Sequence, residues 1–187
     1  MNRSELVDMV RTVLNEHGED LTFSIADDNV RLNDYINRAL PDAVVSLAVD
    51  GRAINPATET MTANAEGTYT LPDDFVSLVK AKLSNWVGVA TKVIEPTEPE
   101  YRRAMNTYTA PGVNNPVCLR DGISTIMFLP QGTVKEFVYN ATLGEAFNGN
   151  ERACKAVVYM AAALVCSYFE DNAGMQRLAE MAKMYVK

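Results

Sequence analysis

The sequence of 187 residues is poor in the side chains that most often carry catalysis or bind metals. It has one histidine, His17, and three cysteines that show no C-x-x-C spacing. A histidine-based metal cluster therefore cannot form within one chain. The motifs G-x-x-x-x-G-K-[ST], G-x-G-x-x-G and G-x-S-x-G are also missing, so no segment predicts nucleotide binding or α/β-hydrolase chemistry. We expect no catalytic residue, no metal ligand and no cofactor.

The cysteines give no sign of a disulfide framework. Cys154 and Cys166 fall on one predicted helix, about 18 Å apart along its axis. A disulfide needs Cα atoms within about 7 Å, so these two cannot pair with each other. Cys118 falls in a predicted strand. The sequence predicts three buried, reduced and inert thiols, which disfavours a hydrolase that uses His17 or a cysteine nucleophile.

Positive charge is scarce and unevenly placed. The chain has 17 Lys and Arg against 24 Asp and Glu, and no basic run is longer than Arg102-Arg103. Residues 1–75 carry 5 basic and 14 acidic side chains, whereas residues 76–187 carry 12 basic and 10 acidic ones. Phosphate binding relies on clustered Lys and Arg, so this composition predicts no grip on DNA.

Long apolar runs are absent as well. The longest nearly uncharged stretch, 156–169, is shorter than the roughly 20 residues that a bilayer span needs. The first twenty residues are charged and amphipathic, without the apolar region of a secretory signal. We expect a soluble protein that is synthesised in the cytoplasm and has no membrane partner.

Residues 1–51 are predicted to be helical. Ser4 is the expected N-cap of a first helix that ends at His17-Gly18. Residues 24–27 resemble a capping box for a second helix. Pro41 interrupts the apolar stripe of that helix, so we expect it to kink the helix or to divide it in two.

Residues 52–148 are predicted to form a mainly β region. A loop or weak edge strand over 52–67 comes first, and one or two helical turns are expected over 98–106. Asp121-Gly122 between two apolar runs is a strong hairpin signal. The expected strands cover 68–71, 76–84, 89–94, 117–120, 123–129 and 133–139.

Residues 149–187 are predicted to be helical again, with Asn150 as an N-cap. The first helix of this zone is apolar almost all round, so it must be buried among other elements. We expect it to end near residues 171–174, before a terminal helix. The sequence therefore predicts one α+β domain over 1–187, in which the N- and C-terminal helices form an antiparallel bundle with an inserted antiparallel sheet and hairpin region.

Several polar features have ordinary structural explanations. A histidine at a helix C-terminus, such as His17, interacts favourably with the helix dipole. The adjacent acidic pairs Asp27-Asp28 and Asp73-Asp74 suit caps and turns. Glu170-Asp171 opposes the dipole of the helix that precedes it, and the sequence offers no explanation beyond a possible partner subunit.

Trp86 and the methionines leave two interpretations open. Burial is the default for the single tryptophan, and an interface anchor is the alternative. Met175, Met181 and Met184 lie in the last 13 residues, where a helical methionine stripe suits either core packing or partner binding.

The order of elements resembles the head-to-tail adaptor, or connector, proteins of tailed bacteriophages over nearly the whole chain. The segment Tyr69-Thr70-Leu71-Pro72-Asp73-Asp74-Phe75 and the strand end Phe128-Leu129-Pro130 are its most specific parts. The resemblance implies a non-enzymatic structural virion protein at the head–tail junction. It would form a ring, usually of twelve subunits, under the portal protein, extend the DNA channel without binding DNA specifically, and present an attachment surface to the tail or to the next connector.

The resemblance also implies where partners would bind. In this family the C-terminal segment commonly reaches the portal, and the β region faces the tail or neighbouring subunits. The portal-side candidates here are Met175, Leu178, Met181, Met184, Tyr185 and Lys187. The subunit or tail candidates are Trp86, Tyr101, Arg102 and Arg103. The uneven charge would let acidic and basic surfaces of neighbouring copies meet, so ring formation is expected to depend strongly on salt.

A second function remains open from the sequence. A monomeric regulatory protein, such as an inhibitor of a host factor, could use the acidic N-terminal half to mimic nucleic acid. Light scattering after size exclusion distinguishes a ring of about a dozen copies from a monomer, although a ring that forms only on the portal would also be monomeric alone.

Overall fold

The computed structural model describes residues 1–17 and 28–186, and the chain has the expected mixed α+β composition. It divides into two compact units. The helical unit consists of Met1–Leu47 and Thr142–Lys187, and the β unit consists of Ala48–Ala141. Both boundaries lie a few residues before the predicted ones. That the two units form one domain stays a prediction.

Four long helices build the helical unit: α1 (Arg3–His17), α2 (Asp28–Leu47), α4 (Glu151–Tyr168) and α5 (Asn172–Val186). The short α3 (Pro99–Met105) belongs to the β unit. Helix α4 packs against α1, α2 and α5. Its apolar side chains point in almost every direction, which is why three helices are needed to cover it. Its buried residues are Ala153, Cys154, Ala156, Val157, Val158, Ala161, Ala162, Ala163, Val165 and Cys166.

The N-terminal caps were predicted correctly at α4 and wrongly at α1. Asn150 accepts a hydrogen bond from the Ala153 N–H at 2.9 Å, as expected. At α1 the cap is Asn2 and not Ser4, because Asn2 Oδ1 accepts the Glu5 N–H and Glu5 Oε2 accepts the Asn2 N–H, both at 2.9 Å. This reciprocal pair is a capping box. The capping box predicted over 24–27 and the predicted terminator Gly18 lie outside the described residues.

The turn between α4 and α5 gives the Glu170-Asp171 pair a structural role. Helix α4 ends at Tyr168, earlier than predicted, and Glu170 adopts a left-handed conformation with φ of 61°. Asp171 then caps the next helix, since its Oδ1 accepts the Gly174 N–H at 2.9 Å. The carboxylate therefore faces the positive end of the α5 dipole instead of the negative end of α4. Residues 171–174 begin a helix instead of ending one.

Pro41 does not divide α2, which runs without a break from Asp28 to Leu47. A proline has no N–H to donate, so the Asn37 carbonyl four residues earlier loses its helical partner. Arg3 replaces that partner: its Nη2 donates to Asn37 O at 2.7 Å, and its Nε donates to Asn37 Oδ1 at 3.1 Å. A side chain from α1 thus satisfies the carbonyl that the sequence pattern alone left unpaired.

The Arg3–Asn37 contact predicts a specific energetic coupling with Pro41. We expect Arg3→Ala to lower the free energy of unfolding by about 1–3 kcal/mol, because it leaves a half-buried carbonyl without a donor. In a Pro41→Ala background the N–H at position 41 can serve Asn37 O, so the loss should shrink by about 1 kcal/mol. Urea unfolding of the four proteins of this double-mutant cycle measures the coupling. Arg38→Ala, at an exposed position of α2, is the control, and equal Arg3→Ala losses in both backgrounds would contradict the assignment.

The β unit contains two sheets. The first has the order β1 (Pro56–Thr58), β7 (Val134–Ala141), β3 (Phe75–Leu83), and all its pairs are antiparallel. The second has the order β2 (Tyr69–Thr70), β6 (Thr125–Leu129), β5 (Val117–Arg120), β4 (Val93–Ile94). In this sheet β4 runs parallel to β5, which corrects the purely antiparallel expectation. The intervening α3 and its following loop supply the crossover that a parallel pair requires.

Most predicted strands are present, with shifted ends. The edge strand predicted within 52–67 is β1, and the two runs around Asp121-Gly122 form the antiparallel hairpin β5–β6. The hairpin loop is longer than the two residues that the Asp-Gly signal indicated, since β6 begins only at Thr125 and the Asp121 N–H donates to Thr125 O at 3.0 Å. The strand predicted over 89–94 shrinks to β4 and an isolated bridge between Ala90 and Ala81.

A buried asparagine fastens the segment before β1 to the first sheet. Asn140, fully buried on β7, accepts the Ile54 N–H at 2.7 Å and the Asn55 N–H at 3.1 Å. Its amide donates to Arg52 O at 2.7 Å and to Ser77 Oγ at 2.9 Å. These bonds use both donors and the acceptor of the side chain, so no polar atom of it is left unsatisfied.

We therefore expect Asn140→Ala to be strongly destabilising. The change removes the side-chain acceptor of two buried backbone N–H groups and the side-chain donor to the Arg52 carbonyl, and the loss should be about 2–5 kcal/mol in the free energy of unfolding. Asn114→Ala, at an exposed position of the same unit, should change stability by less than about 0.5 kcal/mol. Chemical denaturation followed by circular dichroism compares the two. Similar small losses for both variants would show that the Asn140 network carries little energy.

Candidate interaction surfaces

Helix α5 is docked on α4, and this decides which of its predicted contact residues are accessible. Leu178 is 1% exposed and belongs to the core of the helical unit. Met175, Met181 and Tyr185 are half-buried, and the Tyr185 ring stacks on Tyr159 with centroids 5.6 Å apart. Met184 is 65% exposed. Lys187 lies outside the described residues. The methionine stripe is therefore mostly packing, with Met184 as its outward-facing member.

Trp86 lies in the main core of the β unit, where it is 4% exposed. Its indole N–H donates to Pro130 O at 2.7 Å, and its ring meets Phe128 edge to face at 5.7 Å. The structure thus agrees with the default interpretation of burial, and leaves almost no surface of this side chain for direct contact with a partner.

The other three candidates of the β unit lie on α3. Tyr101 is half-buried and packs against a small cluster formed by Ile94, Ala104 and Leu119. Arg102 and Arg103 are exposed on the same short helix. Trp86 belongs to the larger core cluster, so the structure does not unite the four predicted residues in one group.

Three of the motif residues behind the family resemblance, Tyr69, Leu71 and Phe128, lie in the core. The Tyr69 hydroxyl donates to Gly132 O at 2.8 Å, and its ring lies 5.0 Å from that of Phe128. Asp74 accepts a hydrogen bond from the Tyr139 hydroxyl at 2.9 Å, and burial together with this carboxylate raises the pKa of Tyr139. Tyr69, Phe128 and Tyr139 therefore stabilise the fold of the β unit and offer little surface.

An exposed apolar region, which sequence reasoning missed, is formed where two loops of the β unit meet. The Val113 carbonyl accepts the N–H groups of Val87 and Gly88 at 2.9 and 3.0 Å. The side chains of Val87, Val89 and Val113 are 69%, 39% and 39% exposed. We call these three residues the valine surface. The signal for it was the lack of any charged residue in 84–91 and 106–117, in a chain that is 22% charged.

A second exposed apolar feature lies at the tip of the β5–β6 hairpin. Ile123 is fully exposed there. The tip is held in place because the Leu71 N–H donates to Ser124 O at 2.8 Å. Strand β5 runs from Val117 to Arg120. Val113 of the valine surface lies just before this strand in the chain, and the hairpin tip follows it. The two features therefore lie at opposite ends of the hairpin.

In the described residues, no group of three or more His, Cys, Asp or Glu side chains could hold a metal ion. All three cysteines are buried and free, and burial raises the pKa of Cys118, Cys154 and Cys166, the last to about 11. The described part of α1 extends to His17, and the predicted end of this helix at Gly18 and the neighbouring acidic residues Glu19 and Asp20 lie outside the described part of the chain. So does Asp27 of the predicted Asp27-Asp28 cap.

No helix in 1–17 or 28–186 combines the length and the apolar character that crossing a membrane requires. Residues 1–186 match a family model described as SU10 adaptor protein. A search of curated proteins found no match to the chain.

The close packing around Gly88 predicts that a single added methyl group destabilises the β unit. A Cβ at Gly88 would lie 2.9 Å from Pro116 Cδ and would also collide with Asn114 O. We expect Gly88→Ala to separate the two loops, to cost about 1–3 kcal/mol of stability, and to shift the emission of the neighbouring Trp86 to longer wavelength. Gly112→Ala is the matched control, because a Cβ there meets nothing within 4 Å. Identical stability and Trp emission for the two variants would contradict the predicted contact.

Proposed function

This chain belongs to the SU10 adaptor protein family, a family of phage head–tail adaptors, and on that premise we propose that it forms a ring under the portal protein. The ring, dodecameric by analogy with the connectors that the chain resembles, extends the DNA channel and presents a surface to the tail or to the next connector. The protein is then a structural component of the virion at the head–tail junction. The single observation that carries this proposal is the family match over residues 1–186.

The fold is consistent with such a subunit. We propose that α1, α2, α4 and α5 form an antiparallel bundle and that the β unit, inserted between α2 and α4 in the chain, supplies further contact surface. The helical unit buries its own apolar stripes, so it can fold before it meets a partner. The family match favours this role over that of a monomeric acidic inhibitor, for which no feature of the described residues gives independent support.

DNA would pass through the ring without being held. The helical unit carries 9 basic and 14 acidic side chains, and the β unit carries 8 and 10, so both are acidic. Sequence-independent DNA binding requires a positive surface that neutralises phosphates. A passage lined by acidic subunits would instead repel the duplex and favour sliding.

On the portal side we propose a contact through the outward face of α5. Met184 is its most exposed apolar residue, with Met175, Met181 and Tyr185 contributing their accessible edges and Lys187 extending the segment. Leu178 would act from beneath by keeping α5 on α4. Tyr101, Arg102 and Arg103 are proposed to face the tail or a neighbouring subunit, with the two arginines as its charged part.

Co-purification with the portal protein from phage-infected cells tests the adaptor role, and electron microscopy of the particle would locate the chain. We expect wild-type protein to be retained by tagged portal. Met184→Asp should reduce retention at least about tenfold, because it places a carboxylate in an apolar contact, whereas Met184→Leu should retain binding. Absence of wild-type retention and of the chain from the junction would contradict the adaptor role. Equal retention of both Met184 variants would contradict only the α5 contact.

A further inference from the structure

Asn148-Gly149 is the one place in the sequence where an asparagine precedes a glycine. The backbone nitrogen that follows an asparagine can attack the side-chain amide carbon, and a glycine at that position has no Cβ to obstruct the approach. Asn148 is exposed, and residues 147–150 belong to no helix or strand. The pair therefore joins an unhindered nucleophile to a segment that no regular hydrogen-bond ladder holds.

The attacking nitrogen is accessible to this reaction as well. Within 1–17 and 28–186, no backbone carbonyl accepts the Gly149 N–H. The described glycines with a positive φ are Gly51 and Gly67, so the backbone at Gly149 has a conformation that other residues also adopt. A substitution at Gly149 can therefore test the chemistry without forcing the chain into a left-handed conformation.

The Asp50-Gly51 pair shows how the fold can block the same kind of ring closure. Asp50 Oδ1 accepts the Leu78 N–H at 2.9 Å, and the Gly51 N–H donates to Leu78 O at 2.7 Å. One residue of β3 thus holds both groups that would have to meet. Ring closure at Asn148 does not require the following N–H to leave a described backbone carbonyl in this way.

We propose that Asn148 is a site of spontaneous deamidation and isomerisation. The Gly149 nitrogen bonds to Asn148 Cγ, and the side-chain NH2 leaves with the proton of that nitrogen as ammonia, which closes a succinimide ring. Water then opens the ring. Cleavage of the bond between Gly149 N and Cγ gives aspartate. Cleavage of the bond between Gly149 N and the main-chain carbonyl carbon of residue 148 gives isoaspartate, whose chain continues through the side-chain carbon.

The isoaspartate product lengthens the main chain between two fixed points. On one side Phe147 is buried, and its N–H donates to Met1 O at 2.9 Å. On the other side Asn150 caps α4 by accepting the Ala153 N–H at 2.9 Å. Only two residues connect these points, so the added backbone carbon disturbs the pairing with Met1 or the cap of α4. The modification therefore acts on the helix that the rest of the helical unit covers.

The aspartate product changes the charge and leaves the chain length as it was. A carboxylate at position 148 lies just before the N-terminus of α4, where negative charge is favourable. Asn148→Asp therefore reproduces the charge change alone. We expect freshly purified Asn148→Asp to unfold at the wild-type temperature or above it. The isoaspartate form should unfold about 2–4 °C lower, as the loss of a helix N-cap predicts.

Incubation of the folded protein at neutral pH, followed by tryptic digestion and mass spectrometry, tests the site. Fragmentation of the peptide 136–152 distinguishes Asn148 from the two other asparagines that it contains. Asn148 should gain the mass of an amide-to-acid conversion, and isoaspartate methyltransferase should label the product. Gly149→Ala should slow the conversion at least about tenfold, because its Cβ obstructs the attacking nitrogen. Asn148→Gln should slow it too, since the ring would need an additional carbon.

Internal references come from the same digest. Asn106 and Asn114 are exposed like Asn148, but each precedes a residue with a side chain, Thr107 and Asn115. They should convert at least about tenfold more slowly than Asn148. Ion exchange then separates the acidic fraction of the incubated protein, and thermal unfolding compares its isoaspartate-containing molecules with fresh Asn148→Asp.

Three results would overturn the proposal. Conversion of Asn148 no faster than that of Asn106 and Asn114 would show that the folded chain suppresses the reaction. An unchanged rate in Gly149→Ala would exclude attack by the following nitrogen. An isoaspartate form that unfolds together with fresh Asn148→Asp would show that the added carbon is accommodated between Phe147 and α4. None of these results bears on the adaptor role, which retention by the portal protein tests separately.

Discussion

The burial of α4 is the constraint on which the helical unit depends. A helix that is apolar almost all round must be covered on several sides, and its cover comes from α1, α2 and α5. Two of these helices precede it by more than a hundred residues in the chain. The helical unit must therefore be assembled from both ends of the sequence. The β unit lies between them in the chain, and its loops carry the exposed valines and Ile123.

The helices and most strands could be predicted because their signals are local. Asn150, the stripe of α4 and the β5–β6 hairpin depend on spacing within a few residues, and the structure has them. The departures have non-local causes. Pro41 leaves α2 continuous because Arg3, from another helix, satisfies Asn37 O. The parallel pairing of β4 with β5 depends on a crossover through α3, which no short pattern encodes.

The interaction surfaces were harder to predict than the fold. The residues that carry the family resemblance, such as Tyr69 and Phe128, are core residues, so they report the fold and not the contact. Trp86 was a candidate interface anchor, but its side chain is buried. The exposed residues that follow it in the chain are Val87 and Val89. A single valine in a sequence does not indicate an exposed surface. The exposed valines could be recognised only in the structure, where two uncharged loops that are separate in sequence meet at Val113 O.

The divided helical unit also fixes the order in which the protein can fold while it is being synthesised. Helices α1 and α2 leave the ribosome first, but α4, against which they pack, is complete only at Tyr168. At about 5–20 residues per second, the N-terminal helices wait roughly 6–24 s for their partner. The whole β unit emerges in that interval and can fold before them. Residues 1–47 carry 9 acidic and 4 basic side chains, so two such segments repel each other before α4 is made.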